Sequence, residues 1–183
     1  QLVKYGNMLY QSRQQFIADF TPIFQRYYTK ISKDQEKVEL EYRSQLHTGD
    51  FSEILKANLT KDRGNHYSNI GIHKDDLVFN LGGLQLKKFG SQGQQKTYLL
   101  ALKLAQAELI QNISRQKVII LLDDIYDKLD DERMGQLMGI VGGGDFGQVF
   151  ITDTNLERIP TILRKENINF KSFKIAKGEI ENV

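Results

Sequence analysis

Phe89-Gly90-Ser91-Gln92-Gly93-Gln94-Gln95-Lys96 opens a stretch with helical patterning, and the apolar run Val118-Ile119-Ile120-Leu121-Leu122 ends in Asp123-Asp124, with Asp123 placed 32 residues after Ser91. Ser91 after a glycine is a good helix N-cap. From Tyr98 onward, Leu99, Leu102, Ala105 and Leu109 form an apolar stripe that predicts a helix to about Asn112. The run from Lys117 to Leu122 does not alternate, as expected of a central parallel strand buried on both faces. One helix, one turn and one strand fit the interval, so the spacing is compatible with a βαβ unit.

Both ends of that unit carry chemistry. The first turn, Gln92-Gly93-Gln94-Gln95, offers free backbone N–H groups, the positive end of a helix dipole, a small residue that allows close approach, and side-chain amides as further donors. Such an end suits phosphate oxygens, although a capped helix after a glycine turn is also common for structural reasons alone. Asp123 and Asp124 fall at the C-terminal end of the strand, where α/β sheets place ligands. Asp123 is the candidate holder of a nucleotide's magnesium, usually through water, and Asp124 the candidate that orients an attacking water against a γ-phosphate. A solvated strand end is the ordinary alternative for two adjacent aspartates.

Upstream, Leu2, Tyr5, Leu9, Phe16, Phe20, Phe24, Tyr27 and Ile31 recur with helical spacing, and Pro22 predicts a break, hence two helical segments. Residues 38–43 alternate as in a half-buried strand, and a short helix with Ser52 or Asp50 as its cap runs toward Leu59. A polar passage through His66 and His73 leads to a strand over Leu77–Leu81, and Gly82-Gly83 turns into Leu84-Gln85-Leu86. His66, His73, Asp75 and Asp76 lack the spacing of a metal site and read as a surface loop. Gly142-Gly143-Gly144 reads as a flexible surface turn, Leu156–Lys165 as a short final helix interrupted by Pro160, and the tail as terminal strands.

The 183 residues suffice for one domain with its own core, and 40% apolar with 26% charged residues is an ordinary globular composition. A formal charge of +2 does not mark a nucleic-acid binder, so any such contact needs a local basic patch. No cysteine is present, which excludes disulfides, thiol catalysis and cysteine zinc sites. No apolar run is long enough for a membrane span and no secretory signal is evident, so the expectation is a cytoplasmic protein without membrane contact.

Phe89 to Gln94 resembles the signature motif of ABC-type ATPases, Val118 to Asp124 is similar to their Walker B strand, and Leu129-Asp130 to their D-loop. Within that group the chain resembles the C-terminal half of the RecF family, the DNA replication and repair branch of the SMC-like ATPases. Gly71-Ile72-His73-Lys74-Asp75-Asp76, Ser91 to Lys96, Leu122-Asp123-Asp124, Leu129 to Arg133 and Gln148 to Thr152 follow that family's order. The resemblance implies an α/β fold, an ABC-type ATPase lobe with a mostly parallel sheet and N-terminal helices. It implies a helical base of an arm over residues 1–34 and the signature and Walker B lobe over 35–183. The P-loop Gly-x-x-x-x-Gly-Lys-Ser/Thr does not occur. Neither ATP nor Mg2+ is therefore expected to bind this chain tightly, and the chain alone is expected to be inactive.

In a complete protein the resemblance implies an ATPase whose two copies sandwich ATP head to tail. Asp123 would serve as metal ligand and Asp124 as water-orienting base, while Ser91, Gln92, Gly93 and Gln94 reach the γ-phosphate in trans and Asp130 meets the dimer seam. ATP binding would drive a homodimer onto gapped DNA or single-strand/double-strand junctions, with recombination-mediator proteins as partners, in recombinational repair and the SOS response to DNA damage. Lys56, Lys61, Arg63, Lys87 and Lys88 are candidates for phosphate contacts. Asp127, Lys128, Ile72 and Asp153 depart from the family's usual residues. Another SMC-like ATPase head, and a pseudo-ATPase interaction domain, are the alternatives.

Overall fold

The computed structural model describes residues 1–33, 36–125 and 129–181. Its elements run α1 (Leu2–Ser32), β1 (Val38–Arg43), α2 (Phe51–Asn65), β2 (Asp76–Leu81), β3 (Leu84–Gln85), α3 (Leu86–Phe89), α4 (Gln92–Ser114), β4 (Ile120–Asp123), α5 (Asp131–Gly142), β5 (Val149–Thr152), α6 (Arg158–Lys165), β6 (Lys174–Ala176) and β7 (Glu179–Glu181). The α/β class expected from the sequence is observed. The parallel pairing among the described residues is β4 with β5, and the other strand pairs are antiparallel. Contacts divide the chain into two compact units, Gln1–Gln25 with Glu36–Gly90 and Arg26–Gln35 with Ser91–Val183.

In the first unit, β1 and β2 pair from Val38↔Leu81 to Arg43↔Asp76, and β3 adds to β2 through a two-residue turn. Gly82 and Gly83 both have positive φ, 57° and 79°, the backbone that a tight hairpin of this kind demands and that glycine adopts without strain. Asp50 caps α2 by accepting the N–H groups of Ser52 and Glu53, so of the two expected caps it is the one used.

The Gly71–Asp76 stretch holds this unit together. Asp75 is nearly buried and accepts hydrogen bonds from Arg13 Nη1 at 2.7 Å and from the Tyr42 hydroxyl at 2.5 Å, while Arg13 also donates to the Ile72 carbonyl at 2.8 Å. This binds α1 and β1 to the entrance of β2. A buried carboxylate needs such partners, because unpaired charge is costly away from water.

The helix predicted to break at Pro22 is continuous over 31 residues. Proline removes the N–H that would bond the Ala18 carbonyl. Packing outweighs that loss: Phe20 and Phe24 are buried in the first unit, and Tyr27, Tyr28 and Ile31 in the second. Thr21 also turns its hydroxyl back to the Ile17 carbonyl at 2.6 Å.

The second unit is built on α4. Tyr28 meets Tyr98 edge to face at 5.8 Å, and the Tyr27 hydroxyl and the Arg26 guanidinium both donate to Glu108. Met134, Leu137 and Met138 of α5 are fully buried. The buried residues of α4 are Thr97, Tyr98, Ala101, Leu104 and Ala105, a stripe turned from the expected one, and Leu99 is 58% exposed. Nor is β4 buried on both faces as predicted: Leu122 is buried, but Leu121 is 74% exposed. Leu99 and Leu121 line one apolar hollow of about 410 Å³ beside β4, and no element among the described residues of this unit covers it.

Pro160 falls within the first turn of α6, where its missing N–H has no intrahelical partner to lose, and so does not interrupt it. Lys177 and Gly178, both at positive φ, turn β6 into β7.

Replacing Pro22 by alanine is expected to stabilise the protein against urea by about 1–3 kcal/mol, since it restores an interior helical hydrogen bond; a fall in the unfolding midpoint would contradict this account of the helix. Burial pushes the Glu108 carboxyl up, but the bonds from Arg26 and Tyr27 outweigh it and hold its pKa below the usual glutamate value. A carboxyl depressed in the folded state contributes stability that is complete above its unfolded pKa of about 4.3 and lost as pH falls through the folded value. Glu108→Gln is therefore expected to flatten the loss of stability measured between about pH 6 and about pH 3.

Candidate functional site

The N-terminus of α4 is formed as its sequence demands. Ser91 stands outside the helix in extended conformation (φ −61°, ψ 162°), its hydroxyl accepts the Gln94 N–H at 3.2 Å, and the Gln94 side-chain oxygen accepts the Ser91 N–H at 2.7 Å. This reciprocal capping box satisfies two backbone donors that a helix start leaves open. Ser91 and Gln92 are exposed and Gly93 and Gln94 half-buried, so the helix tip is at the surface of its unit.

The expected βαβ unit across Ser91 to Asp123 does not form, since β3, the strand before α4, pairs antiparallel with β2; the parallel partner of β4 is β5, and their register places Asp123 beside Thr152. The Thr152 hydroxyl donates to Asp123 Oδ1 at 2.5 Å and accepts the Asp124 backbone N–H at 3.4 Å. A threonine that sequence reasoning treated only as part of a strand motif thus fixes both acidic residues.

Asp123 and Asp124 are exposed, and Asp124 holds φ 47°, in the left-handed region that non-glycine residues seldom occupy. Aspartate is among the side chains that tolerate it best. Two hard oxygen donors at a strand end fit magnesium in kind. No group of three or more metal-binding side chains occurs among the described residues, so such an ion would need phosphate or water oxygens to complete its shell.

Asp130 caps α5, accepting the Arg133 N–H at 2.9 Å, and its side chain is 60% exposed. Asp127 and Lys128 lie outside the described residues. Asp153, following β5, is almost buried; its Oδ1 accepts the Asn155 N–H at 3.0 Å and faces Arg158 at 3.7 Å. In the first unit Lys56, Lys61, Arg63, Lys87 and Lys88 are exposed. His73 is engaged with the Ser68 carbonyl at 3.1 Å. No helix among the described residues is long and apolar enough to cross a membrane.

This α/β unit, with a capped helix tip and a strand ending in two aspartates, has the fold expected of the signature and Walker B lobe of an ABC-type ATPase. Solved structures share this fold. Two are of the recombination mediator protein RecF of the RecFOR pathway, one described with ATPrS (TM-score 0.70, 26% identity, 98% of this chain and 48% of that one) and one with ATP (TM-score 0.72, 25% identity, 100% and 48%). A structure from work on ATP-driven dimerization and DNA-stimulated activation of SMC ATPases has the same fold at 12% identity, with a TM-score of 0.57. No protein-family model matches the chain.

Among curated proteins, the DNA replication and repair protein RecF of Phocaeicola vulgatus is 45% identical over 176 residues, covering 96% of this chain and 47% of that protein. The same protein from Bacteroides fragilis is 44% identical over 178 residues (97% and 48%), and from Flavobacterium johnsoniae 43% over 175 (96% and 49%). The chain belongs to the RecF family, as a C-terminal piece that spans about half the length of the curated relatives it matches.

Two substitutions test the local structure. Ser91→Ala removes one half of the capping box and is expected to cost about 1 kcal/mol in urea unfolding. Thr152→Val keeps the shape but removes the hydroxyl, and is expected to destabilise by about 1–2 kcal/mol, because the Asp124 N–H loses its acceptor and Asp123 its donor; unchanged stability would show that the hydroxyl fixes neither.

Proposed function

We propose that this chain is the signature and Walker B half of a DNA replication and repair ATPase, which binds ATP between two copies and uses that state to hold DNA. One observation carries the reading: in a chain matching RecF along its length, an exposed capped helix tip and the exposed, threonine-anchored Asp123-Asp124 strand end belong to the same unit. The domain reading assigns residues 1–34 to the base of an arm and 35–183 to the lobe.

Asp123 holds the nucleotide's metal, and Asp124, at its turned backbone, orients the attacking water. The tip Ser91, Gln92, Gly93 and Gln94 presents N–H donors to the γ-phosphate bound by the partner protomer, where dipole and donors act together on developing charge. Asp130, exposed at the start of α5, faces the seam. Magnesium, when bound, neutralises phosphate charge during transfer.

The phosphate-cradling loop belongs to the remaining half of the protein. Apolar elements of that remaining half cover the hollow along β4, since Leu121 and Leu99 are left open there and covering a side chain of that size contributes about 1.5–3 kcal/mol. The DNA target is a gap or a single-strand/double-strand junction, met through phosphate contacts in the cytoplasm. Recombination-mediator proteins are the partners, in the SOS response to damage.

In the full-length protein, Asp124→Asn is expected to lower MgATP turnover by at least about a hundredfold while leaving ATP-dependent dimerisation, followed by light scattering, in place. Full turnover in that variant would remove Asp124 from its role, and absence of ATP-dependent dimerisation in the wild type would favour a partner-recruiting domain without ATPase function.

A further inference from the structure

Arg133 stands in the first turn of α5, with a side chain only 19% exposed. Arginine heads normally stay in water. Its position is also electrically unfavourable, because the first turn of a helix is the positive end of the dipole and repels cations. Two contacts account for it. Nε faces Asp130 Oδ2 at 3.7 Å, while Asp130 Oδ1 accepts the Arg133 backbone N–H at 2.9 Å. Nη1 lies against the first turn of α4, where a Cβ built on Gly93 would stand 3.1 Å from it. The missing side chain of Gly93 therefore leaves the berth of this guanidinium. That is a reason for glycine there distinct from approach to a phosphate.

We propose that Arg133 is a positioning residue that ties the Ser91–Gln94 tip to Asp130, so that the helix tip and the start of α5 are offered to a partner protomer as one rigid piece. Asp130 then acts twice, capping α5 and supplying the counter-charge that keeps the guanidinium against Gly93. The role in catalysis rests on the nucleotide-bridged dimer proposed above, whereas the contact itself does not.

Two measurements on the full-length protein test the contact and the role separately. Thermal melts of Gly93→Ala, Arg133→Ala and the double variant test the contact, because the added methyl meets the guanidinium only while it is there. The expected result is a non-additive pattern in which alanine at 93 is better tolerated in the Arg133→Ala background. Additive shifts would overturn the proposal whatever the turnover.

For the role, Arg133→Ala is expected to lower kcat at least about tenfold with the KM for ATP within about threefold, and Arg133→Lys to recover part of the loss, since lysine keeps the charge but not the planar fork. In an equal mixture of Arg133→Ala and Asp124→Asn protomers, half of the dimers hold one site with an intact Asp124 and an intact tip, so turnover is expected to return to about a quarter of wild type. Wild-type kcat in Arg133→Ala, or a loss that mixing does not relieve, would overturn the proposal. Undiminished turnover in Asp124→Asn alone would instead count against the ATPase reading, with the melts still deciding the contact.

Discussion

The register of β4 against β5 is the constraint on which the candidate site depends. Parallel strands cannot be joined by a short turn, so the chain between them must travel out and back, here through α5. Their pairing from Ile120↔Val149 to Asp123↔Thr152 makes both strands end at the same level. A shift by one residue would turn every side chain to the opposite face and leave the Thr152 hydroxyl without Asp123. A single side-chain oxygen bridging one carboxylate and the next residue's backbone depends on that alignment.

Around that pair the second unit is arranged from large, well-packed side chains. Tyr28 against Tyr98 and the Arg26 and Tyr27 bonds to Glu108 seat the end of α1 along α4. The first unit makes a comparable tie with a different chemistry, in which Asp75 gathers Arg13 and Tyr42. In both units a single carboxylate oxygen collects an arginine and a tyrosine, so that a charge largely withdrawn from water keeps two strong donors.

Much of this was legible in the residues, for local reasons. Ser91 with Gln94 three positions on, Asp50 before an apolar residue, and Gly82-Gly83 between two strand patterns are short-range signals whose energetics close within one turn of chain. The order of motifs that carried the likeness to RecF was legible in the same way. The continuity of α1 through Pro22 was not, because a proline's local cost can be outweighed only by tertiary packing that a pattern does not reveal. The buried stripe of α4 was misplaced for a related reason: an apolar face looks the same whether this chain or another part of a protein covers it, and Leu99 and Leu121 are left open. Thr152 escaped notice because its partners lie 28 and 29 residues away.

Asp124's left-handed backbone has a practical corollary. Asparagine is, with aspartate and glycine, at home at such a φ, and it has nearly the same volume as aspartate. The carboxamide swap that silences the proposed chemistry is thus also one that the main chain accepts with little rearrangement. A protein carrying it should make a faithful frozen stand-in for the nucleotide-loaded state, suited to capturing short-lived assemblies for imaging.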